Sequence, residues 1–211
     1  MRPEDYDAWY DTPRGRWIGA TEFALARREL AAIPGETLLD VGCGTGWFTR
    51  RFAAEGLAVT GLDPNAEWLT YARAHSGLST RWTEGDAQSL PFAGNSFDRV
   101  VSITALCFIA DERRAVAEIV RVAKRRFAIG WLNSSSLLYR QKHGSGAYRG
   151  AAWHMAEEVR EFFSGLPVAN LHLTSTIFLP DGGPFAKTLE VLLPNRLPWG
   201  ALLIAAGDKS Q

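Results

Sequence analysis

Three glycines at alternate positions, Gly42, Gly44 and Gly46, directly follow the apolar run Thr37–Val41. A residue without a Cβ lets the backbone turn tightly and lets a ligand come close to the chain. The apolar run predicts a buried strand, and Trp47–Glu55 predicts a helix that begins at the bend. The free N–H groups of such a helix start can donate to a carboxylate or a phosphate. A tight turn that binds nothing is the alternative interpretation.

An acidic residue follows the next predicted strand. Leu57–Leu62 predicts that strand, and Asp63 stands directly after it, about 20 residues beyond the first glycine of the bend. An ionised carboxylate only accepts hydrogen bonds, so it is suited to the two hydroxyl groups of a ribose. Asp63 can also cap a helix that begins near Pro64, and the two roles are compatible.

The spacing of the glycines bears on which nucleoside cofactor the bend can hold. Dinucleotide-binding folds use G-x-G-x-x-G, in which the third glycine allows close packing under a pyrophosphate. Here the pattern is G-x-G-x-G and the bulky residues Trp47 and Phe48 follow, which leaves less room for a pyrophosphate. An NAD(P)-dependent oxidoreductase therefore stays open only as the alternative.

Several stretches taken together resemble the class I S-adenosylmethionine-dependent methyltransferases. Leu39–Gly46 resembles motif I of that family, and Gly61–Asn65 resembles its acidic second motif. Glu84–Ala87 with Leu90–Phe92 resembles the adenine-contacting segment, and Ser96–Val101 resembles the fourth strand. The resemblance is greatest to the small-molecule group that includes the ubiquinone/menaquinone and sterol methyltransferases.

The resemblance covers about residues 36–132 and implies S-adenosylmethionine as cofactor and S-adenosylhomocysteine as product. It places Asp63 at the ribose, Asp86 at the adenine amino group and Thr104 near the sulfonium. The full set of implied cofactor-binding residues is Tyr10, Asp40, Gly42, Cys43, Gly44, Asp63, Pro64, Asn65, Asp86, Ala87 and Thr104. A protein that binds the cofactor without catalysis is a further alternative, because no residue is an unmistakable catalytic base.

Strand-like and helix-like segments alternate along most of the chain, which predicts an α/β fold. We expect a Rossmann-like, mainly parallel sheet with helices on both faces and an antiparallel C-terminal edge strand. Residues 1–211 should form a single domain. Residues 1–32 should form an N-terminal helical lid, in which Tyr10 either reaches the cofactor or fastens the first helix to the sheet.

The segment 133–154 has no clean periodicity and follows the fifth predicted strand, so we expect it to face the substrate. His154 and Tyr148 are the expected catalytic residues, with His154 as a general base because imidazole titrates near neutral pH. Arg149 and Trp153 are the expected substrate-binding residues. The alternatives are a helix-capping role for His154 and a surface ion pair for Arg149.

Composition limits the remaining functions. Lys and Arg number 23 and so do Asp and Glu, which argues against a nucleic-acid binder. No apolar run approaches the length of a membrane span, and the N-terminal residues lack a signal-peptide pattern. Cys43 and Cys107 suggest no disulfide, so we expect a cytoplasmic protein. We expect no metal site; the partners considered are a small-molecule substrate and a second copy of the chain, as a homodimer.

Overall fold

The computed structural model describes residues 2–77 and 80–210. Met1, Leu78, Ser79 and Gln211 belong to the predicted domain but lie outside the described residues. The helices are α1 (Pro3–Trp9), α2 (Pro13–Leu30), α3 (Trp47–Ala54), α4 (Ala66–Ala74), α5 (Glu112–Val122), α6 (Leu137–Lys142), α7 (Ala156–Glu161) and α8 (Pro184–Leu192). The strands are β1 (Thr37–Val41), β2 (Ala58–Asp63), β3 (Arg81–Glu84), β4 (Phe97–Ile103), β5 (Ala123–Leu132), β6 (Val168–Thr176) and β7 (Leu202–Lys209).

The strands form a seven-stranded sheet in the order β3-β2-β1-β4-β5-β7-β6. Strands β1 to β5 are parallel to one another, and β7 is antiparallel to both β5 and β6. The expected α/β architecture is confirmed, including an antiparallel C-terminal strand. That strand is not at the edge, however: β7 is inserted between β5 and β6, and β6 forms the edge. All six residues Leu202–Gly207 of β7 are buried, which explains its interior position.

The order of the strands creates a crevice beside β1. Strand β1 pairs with β2 on one side and with β4 on the other. The strands that follow β1 in the chain are therefore added first on one side of β1 and then on the other. In open parallel sheets a ligand binds outside the carboxyl ends of the strands at such a point. The segments that follow β1, β2 and β4 therefore meet at one place.

Both faces of the sheet are covered. Along β4, Val100 packs into the core on one face and Val101 into the core on the other, because successive side chains of a strand point to opposite sides. Helix α5 contributes Val116 and Ile119 to the first core, and α2 contributes Leu30 to the second. Burial on both faces accounts for the nearly continuous apolar composition of the central strands.

The N-terminal segment consists of two helices rather than one. Thr12 caps the second helix by accepting a hydrogen bond from the N–H of Gly15 (3.0 Å), and Pro13 occupies its first turn. Helix α2 packs on the sheet, whereas α1 packs against α4. The two helices therefore cover different parts of the fold, and a lid formed by residues 1–32 stays a prediction.

The expected loop 133–154 also contains regular structure. It includes α6 and a short 3-10 helix, Gly146–Tyr148. Its two ends are joined, since the Ser134 N–H donates to the His154 carbonyl (3.1 Å) and the His154 N–H donates to the Leu132 carbonyl (3.0 Å). The segment 133–154 thus leaves the end of β5 and returns to it, and we call it the excursion after β5.

Candidate cofactor and active site

The bend after β1 has a backbone conformation that requires glycine. Gly42, Gly44 and Gly46 have φ values of 73°, 55° and 78°, in the left-handed region that L side chains rarely adopt. A Cβ on Gly42 would lie 2.3 Å from the Cβ of Ala105, which follows β4. The absence of a side chain therefore lets the bend lie directly against the segment that follows β4.

Asp63 connects the end of β2 to this bend. One carboxylate oxygen accepts a hydrogen bond from the Gly44 N–H and the other accepts from the Asn65 N–H, each at 2.9 Å. Burial raises the pKa of Asp63 above its ordinary value, although the two N–H groups act in the opposite direction. Asp63 forms no ion pair within the described residues. Its oxygens retain lone pairs for further donors, as the predicted ribose contact requires.

Asp40 is the most deeply buried of the carboxyl groups at this site. It is 2% exposed and accepts a hydrogen bond of 2.6 Å from the Thr49 hydroxyl on α3. Burial raises its pKa from 3.8 to about 7; the Thr49 hydrogen bond lowers it and the Asp63 charge raises it further. A cation placed nearby would favour the ionised form of this carboxyl.

The raised pKa of Asp40 predicts a pH-dependent contribution to stability. Asp40 titrates at about 3.8 when unfolded and about 7 when folded, so the folded state binds more protons between these values. Stability from this group therefore falls as the pH rises through that window, by at most ~1.4 kcal/mol per pH unit. As the pH rises from about 4 to 7, the free energy of unfolding should therefore fall less in Asp40→Asn than in the wild type. Urea unfolding across that range tests this, and parallel profiles would contradict it.

Asp86 and Ala87 follow β3 and lie on the next part of the same wall. Asp86 is exposed, and one of its oxygens accepts a hydrogen bond from the Gln88 N–H at 2.8 Å. This hydrogen bond lowers the pKa of Asp86, so the carboxylate is ionised at neutral pH. It therefore offers an acceptor to a ligand.

The residues after β1, β2, β3 and β4 surround one cavity of about 560 Å³, a volume typical of small-molecule sites. Among the lining residues that the structure describes there are three carboxyl groups and no Arg, Lys or His. The full lining is Tyr6, Tyr10, Asp40, Gly42, Cys43, Gly44, Thr45, Trp47, Phe48, Leu62, Asp63, Pro64, Trp68, Asp86, Ala87, Ile103, Thr104, Ala105, Leu106, Phe108, Ile109, Gly146 and Ala147. The cavity is therefore suited to a cationic or neutral ligand rather than to an anion.

Helix α1 closes one side of the cavity. The Tyr10 ring stacks on Trp47 with 4.0 Å between ring centroids, and the Tyr6 ring packs against Trp68 at 5.2 Å. Tyr10 therefore fastens the end of α1 to α3 rather than to the sheet. It also lines the cavity, and its contact with the cofactor stays a prediction.

A polar contact holds the same helix in place. Asp7 accepts two hydrogen bonds from the Arg50 guanidinium (2.9 and 3.0 Å) and one from the Thr45 hydroxyl (2.8 Å). Arg50 also donates to the Thr45 carbonyl at 2.6 Å. Helix α1 is therefore tied to the bend that lines the cavity.

We expect Asp7→Asn to loosen this closure. A hydrogen bond to a charged group is worth ~1.5–3 kcal/mol, so dissociation of S-adenosylhomocysteine should accelerate by about tenfold or more. Stopped-flow displacement measures this rate. Asp11→Asn, a change at an exposed residue just after α1, is the matched control and should leave the rate unchanged. Equal rates for wild type and Asp7→Asn would exclude α1 as a lid.

Thr104 lies at the carboxyl end of β4 with φ of 51°, an unusual conformation for a β-branched residue. Its N–H donates to the Gly130 carbonyl at 2.9 Å, and the thiol of Cys107 donates to its carbonyl at 3.2 Å. Such strain clusters at ligand-binding sites. Thr104 lines the cavity, and its place near the sulfonium stays a prediction.

Two of the expected residues in 133–154 are positioned elsewhere. The His154 ring nitrogen Nε2 lies 2.8 Å from a Glu112 carboxylate oxygen, and the other oxygen of Glu112 accepts from the Trp131 indole at 2.7 Å. His154 does not line the cavity, so this geometry does not support its expected role as general base. Its expected alternative role also differs, because the residue that caps α7 is Met155. Arg149 is exposed and lies outside the cavity lining.

Tyr148 and Trp153 pack together rather than on the cavity wall. Their ring centroids are 5.4 Å apart, and both rings pack against the small apolar cluster that contains Ile18. The part of this segment that reaches the cavity is Gly146 and Ala147, directly before Tyr148. Asn65 also departs from its expected position, since its side chain caps α4 and is not part of the lining.

Several aromatic wall residues are absent from the sequence-based site. Trp68 and Phe108 line the cavity, as does Tyr6. The position of Trp68 could have been predicted from the sequence. A side chain in the first turn of a helix points back towards the helix start, and hence towards Asp63. The position of Phe108 could not have been predicted in this way, since it depends on the 3-10 turn Leu106–Phe108.

Other classes of site have no support within the described residues. No helix there is long and apolar enough to cross a membrane. Residues 2–77 and 80–210 contain no group of three or more His, Cys, Asp or Glu side chains arranged to hold a metal ion.

A family model described as "Methyltransferase domain" matches residues 39–127. The match begins on β1 and ends on β5, so it includes the glycine bend, Asp63, Asp86 and Thr104. The part of the chain that builds most of the cavity is therefore the part that the model matches.

Two curated relatives extend this result. An uncharacterized protein from Mycobacterium tuberculosis is 32% identical over 191 residues, which cover 84% of this chain and 62% of that protein. A malonyl-[acyl-carrier protein] O-methyltransferase from Erwinia pyrifoliae is 42% identical over 95 residues, which cover 44% of this chain and 36% of that enzyme. The chain thus spans less than two thirds of the length of these relatives.

A solved structure matches almost the whole chain. It is a methyltransferase from Thermotoga maritima, described as S-adenosylmethionine-dependent and as a possible histamine N-methyltransferase. The TM-score is 0.75 at 22% identity, and the match covers 98% of this chain and 96% of that chain. The two chains therefore share a fold.

Proposed function

We propose that the protein transfers a methyl group from S-adenosylmethionine to a small molecule, because residues 39–127 match a family model described as "Methyltransferase domain" and the fold is that of a solved S-adenosylmethionine-dependent methyltransferase. The observation that carries the proposal is the composition of the cavity: carboxyl groups of Asp40, Asp63 and Asp86 meet a glycine bend, with no basic lining residue among those described. A sulfonium cation joined to a neutral adenosine is complementary to such a wall.

The residues present fit the cofactor. Asp63 would accept hydrogen bonds from the ribose hydroxyls, and Asp86 and the N–H of Ala87 would contact the adenine. The methionyl part would lie along Gly42–Gly44 above Asp40, where a side chain on the bend would fill the space. Pro64, Cys43, Tyr10 and Thr104 complete the proposed contacts, all as lining residues, whereas Asn65 acts indirectly by capping α4.

When bound, S-adenosylmethionine supplies an activated methyl group for displacement by a nucleophile. The contribution of the protein is to orient the acceptor and to exclude water, and such positioning alone can lower a barrier by ~7–11 kcal/mol. The stacked Tyr10 and Trp47 rings and the apolar segment Leu106–Ile109 serve this exclusion. We place no catalytic role on His154, because its ring nitrogen is engaged by Glu112.

The competing oxidoreductase function is disfavoured by charge. The pyrophosphate of NAD(P) is anionic, and three carboxyl groups in the cavity would repel it. Free thiols at Cys43 and Cys107 support the proposed cytoplasmic location, since disulfides are rare in a reducing compartment.

Calorimetry with S-adenosylhomocysteine and with NAD⁺ tests the cofactor, and the proposal expects saturable binding of the first alone. Turnover is tested by formation of S-adenosylhomocysteine from S-adenosylmethionine with carboxylic acid, hydroxyl, thiol and amine acceptors. Binding without turnover for every acceptor class would support the non-catalytic alternative. Absence of S-adenosylhomocysteine binding at high micromolar ligand would overturn the proposal.

A further inference from the structure

Glu22 is a partly buried carboxyl group on α2 to which the cofactor site gives no role. It lies one helical turn after Ile18 and Gly19, and residues three or four apart share a helix face. Ile18 packs in the cluster that contains the Tyr148 ring. A Cβ on Gly19 would lie 2.7 Å from the Tyr10 ring. Glu22 therefore faces the region between Tyr10 and Tyr148.

The carboxyl group of Glu22 has no partner among the described residues. Among the hydrogen bonds and ion pairs of the described residues, none involves Glu22. Burial raises the pKa of Glu22 to about 8, and no neighbouring charge or hydrogen bond offsets this effect. Burial raises the pKa of Tyr6, Tyr10 and Tyr148, and the Glu22 charge adds to the rise in each, as expected where Glu22 lies on the face of α2 that approaches Tyr10 and Tyr148. A buried carboxyl group without a partner is costly to stability and is typical of a functional site.

The same region borders the cavity on the side away from the adenosine contacts. The residues proposed to hold the adenosine follow β2 and β3, whereas the lining residues Gly146 and Ala147 belong to the excursion after β5. Tyr6 and Tyr10 line the cavity, and Tyr148 directly follows Ala147. Neither Glu22 nor Tyr148 lines the cavity, so Tyr6 and Tyr10 join the Glu22 region to the part of the cavity where a methyl acceptor would enter.

On the basis of the proposed methyltransferase function, we propose that the acceptor is an amine, bound in its ammonium form by Glu22 beside Tyr6, Tyr10 and Tyr148. Before methyl transfer its proton passes to the Glu22 carboxylate, which leaves a neutral amine with the free electron pair that methylation requires. An ammonium ion supplies the missing positive charge, and aromatic faces attract cations within about 6 Å of the ring centroid.

Other acceptor classes fit less well. An anionic acceptor needs a basic partner, and the nearby Arg14, which lowers the pKa of Tyr148, already donates to the Pro180 carbonyl at 2.6 Å. A neutral alcohol brings no positive charge that would stabilise the ionised form of Glu22. Charge complementarity therefore selects the amine.

The experiment compares amines with alcohols of the same size on protein loaded with S-adenosylhomocysteine. The probes are n-butylamine and 2-phenylethylamine against n-butanol and 2-phenylethanol, with Kd measured by saturation-transfer NMR. An ion pair with cation–π support should make at least one amine bind about tenfold tighter than its alcohol. Glu22→Gln should remove this preference without changing the Kd of S-adenosylhomocysteine. Glu157→Gln, at an exposed residue of α7, is the matched control and should change neither.

A second measurement does not depend on a variant. Carbon-13 NMR of Glu22 in the wild type should show its pKa fall when the amine is added, because a bound cation favours the carboxylate. Equal binding of amine and alcohol, a preference that survives in Glu22→Gln, or an unmoved Glu22 titration would each overturn the inference. If any of these results is found while the wild type binds S-adenosylhomocysteine, only the inference about the amine is wrong. If the wild type does not bind S-adenosylhomocysteine at all, the proposed function itself is wrong.

Discussion

Replacing Asp63 by alanine should weaken S-adenosylhomocysteine binding by ~2–4 kcal/mol, or about 30- to 1,000-fold in Kd. The carboxylate is proposed to accept two hydrogen bonds from the ribose, and both would be lost. It also holds the Gly44 and Asn65 N–H groups at 2.9 Å, so the bend itself would lose an anchor. Isothermal titration calorimetry measures the affinity directly.

Two further variants separate these contributions. Asp63→Asn keeps the size of the side chain and one acceptor oxygen, so its loss should be smaller than that of Asp63→Ala. Asp181→Asn changes an exposed aspartate outside the cavity and should bind as the wild type does. Unchanged affinity in a folded Asp63→Ala protein would remove Asp63 from the site.

The part of the cavity proposed to hold the cofactor could be located from the sequence, because its residues depend on local sequence. The bend at Gly42–Gly46 and the carboxyl group of Asp63 each directly follow a buried strand. Since parallel strands place their carboxyl ends at one edge, knowing that the sheet is parallel is enough to bring these residues together. No contact between distant side chains has to be known.

The acceptor half could not be predicted in the same way, because it depends on contacts between distant segments. His154 had the chemistry of a general base, but its partner Glu112 lies 42 residues earlier, and nothing in the local pattern shows that pairing. The residues around Glu22 in the sequence do not indicate a role for it either. A glutamate on an amphipathic helix is usually solvent-exposed, whereas the structure leaves Glu22 only partly exposed.

The position of β7 shows the same limit for the fold. Alternation of elements predicts that the C-terminal strand joins the sheet, but strand order depends on which edge remains free. Here β7 pairs with β5 through seven residue pairs, from Arg126↔Asp208 to Leu132↔Leu202, before β6 completes the edge. The buried run Leu202–Gly207 is the feature of the sequence that favours an interior strand.

Gly42→Ala should be the most destabilising single substitution at the bend. Its φ of 73° disfavours any L side chain by ~1–2 kcal/mol. The new Cβ would also meet the Ala105 Cβ at 2.3 Å, and relieving such overpacking costs a further ~1–3 kcal/mol. We therefore expect a loss of ~2–5 kcal/mol in the free energy of unfolding, measured by urea denaturation, together with weaker S-adenosylhomocysteine binding.

The two causes can be separated within this chain. Gly144 has φ of 70° and open space where a Cβ would lie, so Gly144→Ala should show the conformational cost alone. Combining Gly42→Ala with Ala105→Gly removes the clash and keeps the strained φ, so the double variant should recover ~1–3 kcal/mol. If Gly42→Ala costs no more than Gly144→Ala, the close approach of the bend to the segment after β4 is wrong. The shape proposed for the methionyl site would then be wrong as well, because that approach forms its floor.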